Sequence, residues 1–387
     1  MLLEIKFKAK NFIIKQFSFW NQIIPHNRNK ILIYDAGADK IDNSAALFDF
    51  LVKEGYNRKY KIIYACATHN QLSKTPIKNV AYVGKIGGLL HFMTTCNVYY
   101  RANWLKIKPA KGQHTIQMWH GSPIKRDANA IPQDYDVNPY FTGFLSASEH
   151  FDPIYSEVFR VPTKRMIRCG HPRTDDLFKP SPEYDFGEYK KIIIWTPTYR
   201  KRQKKAYGDV KQVANEDTLL PLIPEGRFKE VNDYLKGKQV KVVVKLHPLQ
   251  SLENYNLTEF DHFVFLSHHE FIARNMSLYP FMKQCDAMIT DYSSIYWDYL
   301  VLDRPIGFTE DDIEEYADGR GFIMKDPEKF KPGPKLCSID DFYQFIEEIA
   351  YGIDNYKEQR KEINAYGNPV TDGHSCKRAL EAIGVTL

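Results

Sequence analysis

The sequence predicts an α/β protein of two doubly wound, Rossmann-like domains that face a cleft. Short, continuous apolar runs alternate with helical stretches, the pattern of parallel strands covered on both faces. The series is interrupted at residues 178–190 (FKPSPEYDFGEYK), rich in Pro, Gly and charge, and then starts again. The 387 residues also suit two domains, since single domains usually run to ~100–200 residues.

The first segment, residues 1–29, stands apart from this series. Over 4–24 the spacing predicts a helix with Ile5, Phe12, Ile13, Phe17, Trp20 and Ile24 on one face, ended by Pro25. Lys8, Asn11, Lys15, Ser18 and Gln22 fall on the other face. Bulky aromatics opposite lysines describe a helix lying on an anionic lipid surface, and they equally describe an ordinary domain helix with a solvated basic face. The first domain then spans 30–185. Its strands are predicted at 31–34, 61–65, 97–100, 115–119, 143–147 and 165–169, with a helix at about 43–54 capped by Asn43 and ended by Gly55. The second domain spans 186–387, with strands at 192–195, 241–246, 262–266, 286–290 and 306–308. It has helices near 226–236 and from about 293, and a helical stretch over 339–364 expected to pack back on the first domain.

Composition removes several classes of function. A net charge of +5 fits an anionic partner, but no RNP motif, zinc-finger spacing or basic heptad repeat points to nucleic acid. Cys66, Cys96, Cys169, Cys285, Cys337 and Cys376 are dispersed without a Cys-x-x-Cys pair, as expected of reduced thiols in a cytosolic compartment. No run of 18 apolar residues is long enough to span a membrane, and lysines interrupt what would be a secretory signal. Walker A and Gly-x-Gly-x-x-Gly motifs are absent, as are paired metal-binding carboxylates, so neither a metal nor a cofactor is expected.

The residues able to do chemistry fall at strand ends, where open α/β sheets bind ligands. Strand 115–119 runs into His120, Gly121, Ser122 and a proline turn, which makes His120 either a proton-transfer group or a turn cap. Strand 241–246 leads in the same way to His247, with Lys245 beside it. Strand 286–290 leads to Asp291, Ser293 and Ser294 at a helix start, an arrangement that serves an anion or plain capping. Thr198 and Arg200 follow strand 192–195, ahead of a basic run at 201–205, and Arg173 follows strand 165–169. Both arginines are candidate phosphate forks.

Taken in order, the motifs resemble those of the CDP-glycerol glycerophosphotransferase family, the teichoic acid primases and polymerases. The resemblance covers about residues 30–335. It rests on Trp119-His120-Gly121-Ser122-Pro123-Ile124-Lys125, Gly170-His171-Pro172-Arg173-Thr174-Asp175, Thr196-Pro197-Thr198-Tyr199-Arg200, His247-Pro248 and Thr290-Asp291-Tyr292-Ser293-Ser294. It continues through Arg304-Pro305, Asp312 to Tyr316, Arg320-Gly321-Phe322 and Pro332-Gly333-Pro334.

The resemblance implies a GT-B-like fold with an acceptor-side first domain and a CDP-donor-binding second domain. His120 is implied as general base and His247 as the second catalytic histidine. Arg200, Thr198, Asp291, Ser293, Ser294 and Arg173 are implied on the donor, and Gly121, Ser122 and Lys125 on the acceptor side. The implied partners are CDP-glycerol or CDP-ribitol, a polyprenyl-diphosphate-linked saccharide, and the anionic cytoplasmic face of the membrane. Ser122 departs from the family's usual Thr, His171 from its Tyr and Thr174 from its Asn. The family's polymerases usually carry an extra N-terminal domain, so the length suggests a primase, with a short capsule-type enzyme as the alternative. A sugar-nucleotide glycosyltransferase on the same fold is the rival reading.

Overall fold

A computed structural model of the protein describes residues 14–37, 40–102, 104–124, 137–198, 219–246, 257, 260–319 and 321–387. They form two compact α/β units. One comprises Met1–Gly121, Asp134–Asp175 and Val370–Leu387, and the other Ser122–Gln133 and Asp176–Pro369. The expected boundary at 185/186 therefore lies ten residues beyond the observed one, and the chain enters the second unit a first time at Ser122.

The first unit begins with helix α1 (14–23) and strand β1 (Asn27–Asp35). There follow α2 (Asp42–Lys53), β2 (Lys61–Cys66), α3 (His69–Leu72), β3 (Val80–Val83), α4 (Lys85–Phe92) and β4 (Thr95–Tyr100). The series closes with β5 (His114–Gln117), β6 (Gly143–Ser146), α5 (Asp152–Phe159) and β7 (Met166–Arg168). The strands make one parallel sheet in the order β3-β2-β1-β4-β5-β6-β7. β1, β2 and β4 carry apolar runs at 31–34, 62–66 and 98–100, where the strands are buried, and Ile31, Ile33, Ile62, Tyr64 and Tyr99 are fully buried.

Several expectations shift here. β5 ends at Gln117 rather than 119, since Met118 and Trp119 belong to the turn that follows. Asn43 does not cap α2: Ile41 holds that place, and the Asn43 side chain reaches elsewhere in the unit. Gly55 adopts the left-handed conformation expected of it (φ 80°).

The second unit holds β8 (Lys191–Thr196), α6 (Phe228–Lys238), β9 (Val240–Lys245), β10 (Phe263–Leu266), α7 (His268–Ala273), α8 (Leu278–Gln284) and β11 (Ala287–Thr290). After them come α9 (Ile295–Tyr299), β12 (Ile306–Thr309), α10 (Ile313–Gly319), β13 (Lys335–Leu336), α11 (Ile339–Tyr351) and α12 (Lys357–Gly367). Its sheet is parallel in the order β10-β9-β8-β11-β12-β13.

The helical stretch expected over 339–364 is two helices, parted by Gly352 in the left-handed conformation. It does not join the first unit. α11 sinks Phe342, Phe345, Ile346 and Ile349 into the core around Ile193, Trp195 and Val242.

The segment that does return to the first unit is Val370–Leu387, with α13 (Ser375–Glu381). Cys376, Ala379, Leu380 and Val385 complete that unit's core. Both oxygens of Asp175 accept from the start of α13, at 2.8 Å from the Ser375 and Cys376 amides. Gly170 makes the close approach possible: its φ is 82°, and a Cβ there would lie 2.6 Å from Ser375 Oγ.

α1 does not keep the faces expected of it: Phe17 and Ile24 are half-buried, but Trp20 is exposed and Asn21 is buried. Its polar residues hold the unit: Asn21 donates to Lys108 O and Gln113 Oε1, Gln22 donates to Lys108 O and Pro109 O, and Ser18 Oγ accepts from Lys108 N. Phe19, Trp20 and Ile23 are 58%, 53% and 57% exposed. No described helix is long and apolar enough to cross a membrane. Among the described residues no disulfide joins any of the six cysteines, and only Cys337 of them is exposed.

Candidate functional site

In the first unit the chemistry gathers on the turn after β5. Gln117 Oε1 accepts from Trp119 N at 2.9 Å and starts the turn. Trp119 takes a left-handed backbone (φ 53°), a conformation that costs a bulky residue about 1 kcal/mol or more and that clusters at functional sites. Its ring lies 4.0 Å from the His120 ring, tilted by 30°, and meets Phe159 edge-on at 4.6 Å. His120 is exposed beyond it. Tyr155 Oη donates to Gly121 O at 2.7 Å and fixes the far side of the turn.

Two other segments hold this turn. Fully buried Asn43 donates from Nδ2 to Met118 O (3.3 Å) and Trp119 O (3.1 Å), and its Oδ1 accepts from Arg173 N (3.2 Å). Arg173 Nη1 donates to both Asp42 Oδ1 and His120 O, each at 2.6 Å. Arg101 lies 3.6 Å from Asp42 and binds Asp35 through Nε at 3.0–3.1 Å. Ser44 Oγ also donates to Asp35, and Tyr64 Oη donates to Ser44.

The two carboxyls respond differently to their surroundings. Burial pushes Asp35 up, against the pull of Arg101. Burial would also raise Asp42, but the Arg173 guanidinium, helped by Arg101 and His120, holds it below the usual carboxylate range.

In the second unit the C-terminal ends of β8 and β11 lie side by side. Thr290 Oγ1 donates to Thr196 O at 3.0 Å. Asp291, 1% exposed, accepts from Thr198 N at 2.7 Å and from Thr198 Oγ1. Its carboxylate therefore shapes the Thr196–Thr198 loop. Ser293 and Ser294 are half-buried, and Ser294 stands before α9 without a side-chain bond to the helix. The helix expected from 293 is the five-residue α9, continued by a 3-10 turn at Leu300–Leu302.

Beneath Asp291, Tyr292 stacks on Tyr316 at 3.9 Å and donates to Asp312 at 2.8 Å. The Lys331 ammonium lies 5.4 Å from the Tyr292 ring and 5.3 Å from the Phe322 ring, and it pairs with buried Glu310. Lys245, half-buried at the end of β9, sits 5.4 Å from the Phe271 ring, and burial pulls its ammonium below the usual range.

The expected site residues thus divide among three places. His120, Gly121 and Arg173 meet in the first unit; Ser122, Thr198, Asp291, Ser293 and Ser294 fall in the second. His247, Arg200, Lys125 and the basic run 201–205 lie outside the described residues. Arg173, expected on a donor phosphate, is 5% exposed and binds Asp42 and the His120 carbonyl instead. Thr174 has a local explanation: its amide and hydroxyl both donate to His171 O, at 2.9 and 2.7 Å, and close the turn. Asp42, Arg101 and Asp35 went unnoticed in the sequence, and Asn43 was read only as a helix cap, because their partners lie far along the chain.

A model of the family described as CDP-Glycerol:Poly(glycerophosphate) glycerophosphotransferase matches residues 16–384. The teichoic acid poly(glycerol phosphate) polymerase of Bacillus spizizenii is 28% identical over 419 aligned residues, taking in 99% of this chain and 100% of that protein. A polymerase matched over its whole length removes the argument from length for a primase. The teichoic acid ribitol-phosphate primase of the same species is 23% identical, over 96% of this chain and 95% of that one. Among solved structures, a variant of the wall teichoic acid polymerase TagF soaked with CDPG matches with a TM-score of 0.70 at 18% identity, over 99% of this chain and 95% of that one. That likeness shows the fold, two Rossmann-like domains of the GT-B type. The chain belongs to the CDP-glycerol:poly(glycerophosphate) glycerophosphotransferase family and is a transferase of teichoic acid synthesis.

Proposed function

We propose that the protein transfers glycerol phosphate from CDP-glycerol to a polyprenyl-diphosphate-linked teichoic acid or capsule acceptor and releases CMP. The observation that carries this reading is the mounted, exposed imidazole of His120, in a chain whose family transfers glycerol phosphate. An oxygen lone pair of the acceptor hydroxyl attacks the phosphorus that bears glycerol. The new P–O bond forms as the bond to CMP breaks, and the electron pair leaves on the CMP phosphate. His120 accepts the hydroxyl proton, a role worth ~10²–10⁴-fold.

Thr198, Ser293 and Ser294 bind the donor's phosphates, together with Arg200 and His247. Lys245 adds positive charge, and Asp291 shapes the Thr198 loop. Gly121, Ser122 and Lys125 serve the acceptor. CDP-ribitol is the second donor reading, favoured by the ribitol-phosphate primase among the relatives.

The protein works at the anionic cytoplasmic face of the membrane. Support comes from the outward-facing Phe19, Trp20 and Ile23 of α1 and from Ile86 and Leu90 of α4, 76% and 63% exposed.

The test supplies a synthetic lipid-linked disaccharide with CDP-glycerol, CDP-ribitol and UDP-sugars in parallel. CMP release with a polyol-phosphate adduct is expected, and UDP release would move the protein to sugar transfer. His120→Ala should lower turnover at least ~100-fold with donor binding nearly intact. A variant retaining more than about a tenth of turnover removes His120 as the base.

A further inference from the structure

We infer that Asp42, Asn43 and Arg173 are positioning residues for His120, a mount that fixes its turn and sets the charge beside its ring. The inference rests on His120 acting as the base proposed above.

Geometry makes the mount a single object. Asn43 ties three segments with one side chain: the start of α2, the Met118–Trp119 carbonyls and the Arg173 amide. Arg173 then joins the same places through its side chain, because one nitrogen donates to the Asp42 carboxylate and the His120 carbonyl. The His120 backbone oxygen and a carboxylate oxygen are thereby held on either side of one guanidinium N–H group. With its side chain only 6% exposed, Arg173 is committed inward, unlike a phosphate ligand awaiting substrate. Asp42 and Trp119 both take left-handed backbones (φ 62° and 53°). Non-glycine residues keep such conformations only where their surroundings over-determine them, and here the mount does so.

The charge follows from the same contacts. Against its burial, Asp42 is kept ionised by Arg173 and Arg101, with a smaller pull from His120. Asp35 stands beyond Arg101 as the other charged group in the cluster. An anion beside an imidazole favours its protonated form, so Asp42 strengthens His120 as a proton acceptor. Because His120 is exposed, solvent screens the effect to a fraction of that in a buried pair.

The experiment titrates the full chain carrying isotopically labelled histidine by NMR, with the His120 signal assigned through His120→Gln. Asp42→Asn should lower the His120 midpoint, and Arg173→Met should raise it. A purely structural disturbance would not give opposite signs. Both variants should lose about tenfold or more in kcat, with KM for CDP-glycerol changed less than about twofold.

Unchanged midpoints in both charge variants would overturn the inference. So would a raised donor KM at constant kcat in Arg173→Met, which would return Arg173 to the donor phosphates. Should either variant fail to fold, Arg173→Lys keeps the charge and loses the fork. It should leave the midpoint in place and lower kcat; an unaltered kcat would overturn the mount. If His120→Ala keeps its turnover, the base reading fails on its own, while the midpoint shifts still report whether the mount exists.

Discussion

Replacing Asp175 with alanine removes two hydrogen bonds from one buried spot. The Ser375 and Cys376 amides, each 2.8 Å from a carboxylate oxygen, would be left without that acceptor at the start of α13. Leaving a buried donor unpaired costs about 1–3 kcal/mol, so the pair costs about 3 kcal/mol once some water enters. Loss of a negative charge at a helix start adds about 0.3–1 kcal/mol. Asparagine keeps one acceptor oxygen and should cost roughly half as much. Two units need not unfold together, so the readout is local: hydrogen exchange of peptides covering 370–387 in the full chain. The total of about 3–4 kcal/mol of local stability corresponds to exchange roughly several hundred-fold faster in Asp175→Ala, with Asp175→Asn between it and wild type. Equal exchange in all three proteins would refute the reasoning, and so would acceleration spread evenly over both units.

Four further outcomes follow from the same contacts. Phe19→Ala with Trp20→Ala should weaken binding to anionic vesicles at least about tenfold in flotation assays while leaving the melting temperature nearly unchanged; undiminished binding would make α1 a purely structural helix. Lys331→Met takes the nearer of two lysines from the Glu310 carboxylate, 2% exposed, leaving Lys335 at 3.4 Å; it should cost less than the ~3–5 kcal/mol of an unpaired buried charge in urea unfolding, with much of it recovered by adding Glu310→Leu. Asp291→Asn frees the Thr198 loop and should raise KM for the donor more than it lowers kcat in steady-state assays. Arg360 holds Asp354 below its ordinary value, so that pair contributes stability above about pH 4 that is lost as pH falls through the lowered value. Arg360→Met should therefore be less stable than wild type near neutrality, and the gap should narrow towards pH 3 in urea titrations.

How much of this was legible depended on the range of the interaction. The inner strands announced themselves because burial on both faces demands continuous apolar runs, as in β1, β2 and β9. Of the four edge strands β7 and β10 were legible, but β3 is half-buried throughout and β13 is two residues long, and neither stood out. α11 showed its apolar stripe but not its destination, since Phe342 and Phe345 would suit either core. His120 was visible as a histidine after a strand, but its support was not, because Arg173 meets Asp42 across 131 positions. Asn43 looked like a helix cap, a good local reading overridden by the distant carbonyls of Met118 and Trp119.

The return of Val370–Leu387 to the first unit also sets an order of events at the ribosome. The seven strands of that unit are synthesised by Arg168, yet Cys376, Leu380 and Val385 of its core are made last. At translation rates of ~5–20 residues per second, the intervening Asp176–Pro369 segment takes roughly 10–40 s to appear. For that interval the core of the nascent first unit lacks Cys376, Ala379, Leu380 and Val385. The second unit, contiguous apart from the stretch at Ser122–Gln133, can close first.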